Sequence, residues 1–332
     1  MTVWLLSDGL PGHVNQARAI ANLLGLSVTE VSVRLRHKLW RPVLKAAVKW
    51  LPSSRMAAWL LRNAYQLVMP AEQPTLVLSA GGNTSFANAL IARQYKSRNF
   101  FIGSLRGLSP TAFTAVFTLE PIGASNNIVM AVPPSPLVPA ELAEASAALR
   151  ATLAEPDEKL WAMIIGGDGA GFYYQQADWA ALASAMIQLS AQYHCRWLLT
   201  TSRRTGLPAE QMLRNLIPSE ILADAVWYGS APRPVMKSFL GAAECMFVTA
   251  DSMSMLADAM ATSRAVYALL PRQSAPDARY QSALRRFADD GFLVEAEMST
   301  LEMQIILVAG APSQAIERWH DDLRARVLPL LG

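Results

Sequence analysis

Asp251, Ser252 and Ser254 stand in the run Thr249-Ala250-Asp251-Ser252-Met253-Ser254-Met255, after the apolar stretch Met246-Phe247-Val248 and before an alanine-rich stretch that closes at Thr262. The pattern predicts a buried strand, a tight polar turn and a helix, then a second buried strand over Ala265–Leu270. One carboxylate and two hydroxyls would gather where the helix begins. Unpaired backbone N–H groups and the helix dipole draw an anion to such a point, and a phosphate-bearing ligand is the natural guest. Simple capping is the other role open to Asp251 and Ser252, since both residue types close helix N-termini.

Three further loops carry similar chemistry. Ser79-Ala80-Gly81-Gly82-Asn83 and Gly166-Gly167-Asp168-Gly169-Ala170-Gly171 each follow an apolar run, and their glycines allow backbone donors to approach an anionic group closely. Thr200-Thr201-Ser202-Arg203-Arg204-Thr205 adds two guanidinium groups, whose forked donors match phosphate oxygens. Near the amino terminus, Ser7-Asp8-Gly9-Leu10-Pro11-Gly12-His13-Val14-Asn15-Gln16 puts His13 at a predicted helix start. A neutral imidazole there can take a proton from an acceptor hydroxyl, and Asp8 is the other candidate base. Gly9, Gly12 and Gln16 are candidate ligand contacts of the same loop. The alternative is that His13 and Asn15 satisfy turn and cap hydrogen bonds. The GxGxxG spacing of a dinucleotide-binding turn is missing.

Strands and helices must hold these loops in place. Short apolar runs predict strands near 3–7, 28–33, 76–79, 100–104, 115–119 and 128–132, and again near 161–165, 196–200, 225–228, 246–249 and 265–270, with helical runs such as 179–193 between them. Runs of this kind suit parallel strands covered on both faces. The prolines of Val132–Pro139 mark a connector, followed by an alanine-rich helix ending near Pro156. The architecture implied is α/β, with two Rossmann-like doubly wound domains, 1–150 and 151–311, facing each other across a cleft. A C-terminal helix at about 312–332 is expected to pack back on the first domain.

Composition agrees with a globular chain. Its 332 residues, 52% hydrophobic and 17% charged, can bury two cores. No charged-then-apolar leader and no apolar stretch of bilayer length is present, which predicts a cytoplasmic protein. Cys195 and Cys245 lie in apparent core segments without CxxC spacing and are expected as buried thiols. Asp168 and the Asp321-Asp322 pair do not make a metal cluster, so no metal is expected.

The charge is unevenly spread: residues 1–150 hold 14 Lys/Arg and 6 Asp/Glu, the remainder 15 and 20, leaving net charges of +8 and −5. Arg34, Arg36, Lys38, Arg41, Lys45, Lys49, Arg55 and Arg62 interleave with Trp40, Trp50, Leu51 and Trp59, and no acid falls between Glu30 and Glu72. Pro42 and Pro52 are expected to break this stretch into short helices. Such a mixture suits an anionic membrane surface through Arg34–Arg62, or a helix with its apolar side in the core and its cations in water. Nucleic acid is not expected as a partner, because no binding motif accompanies the basic stretch.

Taken in order, Ser7-Asp8-Gly9 with Gly12-His13 and Gln16, Ser79-Ala80-Gly81, Gly166-Gly167, Thr200–Thr205 and Thr249–Met255 resemble the mitochondrial fission ELM-type family over nearly the whole chain. The resemblance implies a GT-B-like architecture, similar to nucleotide-sugar glycosyltransferases such as the peptidoglycan N-acetylglucosaminyltransferase, with the nucleotide on the C-terminal domain and the acceptor on the N-terminal one. It also implies that Arg203, Ser252 and Ser254 contact phosphate, and that Asp258 stands where a Glu often grips the ribose. The sequence departs from the pattern at that shorter acid, at Thr262-Ser263-Arg264-Ala265 in place of Thr-Gly-Lys-Pro, and at Leu119-Glu120-Pro121-Ile122-Gly123, which lacks a His-Asp pair.

The function expected is transfer of a sugar from a nucleotide-activated donor, a substrate rather than a cofactor, to a glycan or lipid-linked acceptor of the cell envelope at the cytoplasmic membrane face. Helix N-termini with Arg203 and Arg204 would stabilise the leaving phosphate. A nucleotide-sugar epimerase and a non-enzymatic membrane-associated adaptor are the alternatives.

Overall fold

The computed structural model describes residues 1–50, 53–304 and 311–331. Leu51 and Pro52, the latter expected to interrupt the basic stretch, lie outside the described residues. The chain forms two compact units, Met1–Pro136 with His320–Gly332, and Leu137–Trp319.

The first unit runs β1 (Val3–Ser7), α1 (Pro11–Leu23), β2 (Val28–Leu35), α2 (Trp40–Trp50), α3 (Ser54–Ala64), β3 (Tyr65–Leu67), β4 (Leu76–Ala80), α4 (Gly82–Tyr95), β5 (Arg98–Ile102), β6 (Ala115–Thr118) and β7 (Asn127–Val129). Its strands form one sheet in the order β3-β2-β1-β4-β5-β6-β7, and only β3 runs antiparallel to its neighbour. Every residue of β1 and β4 is buried, as the continuous apolar runs require of strands covered on both faces. Two buried asparagines tie this core together. Asn88 of α4 donates to Ser79 Oγ (2.9 Å) and Phe100 O (3.0 Å), and Asn99 donates to Asn88 Oδ1 (2.8 Å). Losing one member would strand the others unpaired, at about 1–3 kcal/mol.

The second unit runs α5 (Pro139–Arg150), β8 (Leu160–Ile164), β9 (Phe172–Tyr173), α6 (Gln176–Tyr193), β10 (Arg196–Thr200), α7 (Leu207–Leu216), β11 (Leu222–Val226), α8 (Met236–Ala242), β12 (Cys245–Thr249), α9 (Met253–Met260), β13 (Ala265–Leu270), β14 (Gln273–Ser274), α10 (Ala278–Asp289), β15 (Val294–Glu297) and α11 (Leu301–Gln304). A parallel sheet orders them β11-β10-β8-β12-β13-β15, and β9 pairs separately with β14. Trp161, Trp197, Phe247 and Tyr267 fill its core with ring centroids 5.0–5.6 Å apart. Cys195 and Cys245 are free and buried beside them. Burial pushes the Cys195 thiol up to about 12 and raises that of Cys245 as well.

Three expectations change. The unit division falls at Pro136/Leu137 rather than at 150, because α5 packs on α8: a Cβ on Gly241 would lie 2.3 Å from Leu142 O. Arg150 adds a bond to Ala242 O (2.9 Å). Pro42 sits in the first turn of α2 instead of breaking it, where a missing N–H costs nothing. The closing helix α12 (Ala311–Val327) belongs to the first unit only from His320 onward, where Arg324 Nε bonds Leu23 O (2.8 Å) and Arg98 Nη1 bonds Leu331 O (2.6 Å).

The basic helices do bury one face, with Leu44, Val48, Leu60 and Leu61 in the core. A second apolar set stays in water: Leu39 is 85% exposed, Trp50 74% and Trp59 54%. No helix among the described residues is long and apolar enough to cross a membrane.

One titration follows from the packing of α12. Burial, reinforced by Arg324, lowers the His320 imidazole from 6.5 to about 4. The folded chain therefore holds His320 neutral where the unfolded chain protonates it, so its contribution is complete above pH 6.5 and is lost as pH falls toward 4. Thermal melts at pH 7.5 and pH 5 should show a smaller acid loss for His320→Gln than for the parent chain; an equal loss would refute the assignment.

Candidate functional site

In an open parallel sheet, the crevice lies where strand order reverses, outside the carboxyl ends of two neighbouring strands. Each unit has one such point.

In the first unit it lies between β1 and β4. Asp8 leaves β1 with its carboxylate almost fully buried and places Oδ2 2.8 Å from His13 Nδ1, while Oδ1 accepts from Leu10 N (3.2 Å). A carboxylate can only accept, so Nδ1 of the neutral ring carries the proton and Nε2 keeps its lone pair. A carboxylate-oriented imidazole of this kind has the geometry that general-base chemistry uses. His13 does not cap α1, whose start has no side-chain cap. Gly81, leaving β4, explains how the ring fits: a Cβ there would lie 2.2 Å from His13 Nδ1, and the backbone has φ +93°. Only glycine accepts both conditions. Gly9 also turns with positive φ, Gly12 is exposed in open space, and Gln16 is half-buried one turn further along α1. Asn83 is already engaged, its Oδ1 by Arg41 Nε (3.1 Å) and its carbonyl by Tyr65 OH (2.8 Å).

In the second unit the crevice lies between β8 and β12. Gly166 N donates to Thr249 Oγ1 (2.6 Å), and Gly166 O accepts from Ser202 Oγ (3.0 Å) and Thr205 Oγ1. Three strand-end loops are thereby locked together. The Asp251 carboxylate is fully buried and takes both Arg204 Nε (3.1 Å) and Nη2 (2.5 Å) on one oxygen. A Cβ on Gly166 would lie 2.3 Å from either carboxylate oxygen, and one on Gly167 would lie 2.1 Å from Arg204 O. These glycines make room for protein rather than for ligand. Tyr174 OH stands 3.5 Å from Asp251 Oδ1; burial, then the neighbouring carboxylate, raises its phenol and keeps it protonated.

The loop residues of this crevice therefore divide into two kinds. Thr201 bonds the buried Glu210 (2.5 Å), Ser202 and Arg204 hold loops, and Asp168 accepts from Tyr174 N (2.9 Å). Gly169 to Gly171 is tied rather than loose, with Ala275 N on Gly171 O (2.6 Å). Arg203, in contrast, is exposed and makes no hydrogen bond or ion pair among the described residues. Ser252 occupies the N-cap position of α9 yet its side chain caps nothing; its hydroxyl lies 3.3 Å from that of Ser254. That pair leaves the first amides of α9 open to an anion, with half-buried Asp258 one turn along. Beside the crevice, Asp168, Arg204, Tyr174 and Trp179 line a hollow of about 280 Å³. Among the described residues, no three His, Cys, Asp or Glu side chains are grouped to hold a metal ion.

Sequence reading overlooked Tyr174, Glu210 and Arg106. A lone arginine between glycines, as in Gly103-Ser104-Leu105-Arg106-Gly107 after β5, was the available signal for the last.

Compared with solved structures, the chain resembles Arabidopsis thaliana UGT89C1 complexed with UDP at 12% identity, covering 98% of this chain and 99% of that one, with TM-score 0.50. Acinetobacter baumannii MurG (16% identity, 98% and 95% covered, TM-score 0.47) and E. coli ADP-heptose lps heptosyltransferase II (12%, 100% and 98%, 0.46) are also similar. At these identities the likeness is one of fold, GT-B-like with two Rossmann-like α/β units. No curated protein sequence matches the chain. The profile described as Mitochondrial fission ELM1, however, matches residues 11–320, taking in His13, Gly81, Arg203 and Ser252 alike, and the chain belongs to the mitochondrial fission ELM1 family.

Proposed function

We propose that the chain is a glycosyltransferase that moves a sugar from a nucleotide-activated donor to an acceptor hydroxyl with inversion at the anomeric carbon. The observation that carries this reading is the Asp8–His13 pair at 2.8 Å in the first-unit crevice, since an oriented base is of no use to a protein that only binds nucleotides. His13 Nε2 takes the acceptor proton as that oxygen bonds to the anomeric carbon and the nucleoside diphosphate departs. Arg203 and the open amides of α9 meet the charge that grows on the leaving phosphate. The reading calls for no metal or cofactor. Asp8 holds the ring and steadies its charge.

The acceptor is proposed to be a glycan or lipid-linked hydroxyl at the inner face of the cell membrane, with the protein otherwise cytoplasmic. Exposed Leu39, Trp50, Met56 and Trp59 beside Lys38, Lys49 and Arg55 support that placement, because aromatic rings and cations together suit an anionic headgroup layer.

Three measurements test the proposal. In a thermal-shift panel of UDP, GDP, dTDP, CMP and ADP compounds, headed by UDP because the neighbour of like fold holds it, one nucleotide should raise the melting temperature. Arg203→Ala should weaken that nucleotide about ten-fold with the melting temperature of the free protein unchanged. Arg204→Ala should instead destabilise the free protein by about 3 kcal/mol, by stranding a buried carboxylate. Silence across the panel would sink the transferase reading, and donor isomerised without acceptor would favour the epimerase.

His13→Ala should lower transfer by about 10²–10⁴-fold while nucleotide binding persists. Undiminished turnover would remove His13 from the mechanism. For the membrane, co-sedimentation with phosphatidylglycerol vesicles should exceed that with phosphatidylcholine and should fall in Trp50→Ala/Trp59→Ala; equal pelleting of all four combinations would refute the placement.

A further inference from the structure

Two hollows in the first unit meet at α2 and share Pro42 and Lys45. The smaller, about 220 Å³, is lined by Arg41, Lys45 and Arg106 together with Gly82 and Asn83. The larger, about 750 Å³, runs on past Lys45, Lys49 and Trp50 to Leu108 and Ala112. Three cations from two separate places in the chain, α2 and the loop after β5, thus line one small space. None of Arg41, Lys45 and Arg106 makes an ion pair among the described residues, and no carboxylate lines either hollow. The surrounding sequence supplies no counterion: from residue 31 to 119 the chain holds 12 Lys/Arg and a single acid, Glu72. Like charges held together without an anion repel, and an arriving phosphate relieves the repulsion.

The backbone is shaped around these cations. Arg106 has φ +47°, a left-handed conformation unusual for a residue with a side chain. Its side chain lies against Gly82, where a Cβ would be 3.2 Å from Cδ and Nη1. A Cβ on Gly107 would lie 2.6 Å from Lys45 Nζ. Strain of this kind gathers at ligand sites. The same two-residue turn therefore carries His13 on Gly81 and Arg106 on Gly82. The larger hollow adds an apolar wall, with Trp50 74% exposed at its side.

We propose that these joined hollows are an acceptor subsite for a phosphate or diphosphate joined to an apolar tail, the anion held by Arg41, Lys45 and Arg106 and the tail lying along Trp50 and Leu108. It rests on the transferase reading for its role as acceptor site. A single base and a cationic cradle on adjoining residues of one turn would then bring the acceptor hydroxyl and its own phosphate to the same end of the sheet.

Calorimetric titration with geranyl diphosphate, inorganic pyrophosphate and geraniol tests this. Geranyl diphosphate should bind about ten-fold more tightly than pyrophosphate, and geraniol should not register. In Lys45→Gln/Arg106→Gly its affinity should fall about ten-fold or more; glycine tolerates the Arg106 backbone, and the nucleotide-induced thermal shift should be unchanged. Equal affinity for geranyl diphosphate and pyrophosphate would overturn the apolar half, and equal binding by parent and variant would overturn the site. Failure of geranyl diphosphate with nucleotides still binding would remove the subsite and leave the transferase standing. Binding that depends on Lys45 and Arg106 in a chain that ignores every nucleotide would overturn the acceptor role.

Discussion

In both units the space that a Cβ would occupy at a strand exit is filled by a polar side chain from the segment that follows the neighbouring strand: His13 of α1 over Gly81 and the Asp251 carboxylate over Gly166. Everything else at the two crevices depends on that exclusion. Each contact closer than 2.5 Å to an ideal Cβ leaves no room for even a methyl group, so the crevice floor can be assembled only on glycine. Parallel strands supply the location, because their ends converge where the order reverses. The glycines then decide which side chain can reach across.

The two crevices use this device to opposite ends. Around Asp251 the result is closure: an ion pair from half-exposed Arg204 to the buried carboxylate and a ring of hydroxyl bonds on the Gly166 peptide tie three loops into one floor. Around His13 the result is exposure, since one ring nitrogen is committed to Asp8 and the other keeps its lone pair. The same glycine device thus fixes loops in one unit and leaves a ring nitrogen unengaged in the other.

Much of the framework was legible before the structure because parallel strands announce themselves as short apolar runs. The runs at 3–7, 196–200 and 265–270 coincide with β1, β10 and β13. The strands β3 and β15 were not legible: the first has three residues, and the second, Val294-Glu295-Ala296-Glu297, is a charged edge whose single buried residue gives no run. Site residues were legible as types, since Gly, Ser, Asp and Arg at strand ends stand out from apolar surroundings. Their partners were not. Gly166 and Thr249 are 83 positions apart, and no local pattern says that Arg204 closes on Asp251 while Arg203 faces water. Arg106 shows the same limit, because its meaning comes from a positive φ and from Gly82 across the hollow.

The two cysteines have a practical side. Cys195 and Cys245 are the chain's whole complement of thiols, both are buried, and burial keeps both in the protonated form that alkylating reagents do not attack. The native chain is in effect already silent to maleimide chemistry at neutral pH. A cysteine introduced at an exposed position such as Leu39 or Arg203 would carry a single spectroscopic label without prior removal of the natural ones, so a reporter can be set on either unit of the unaltered core.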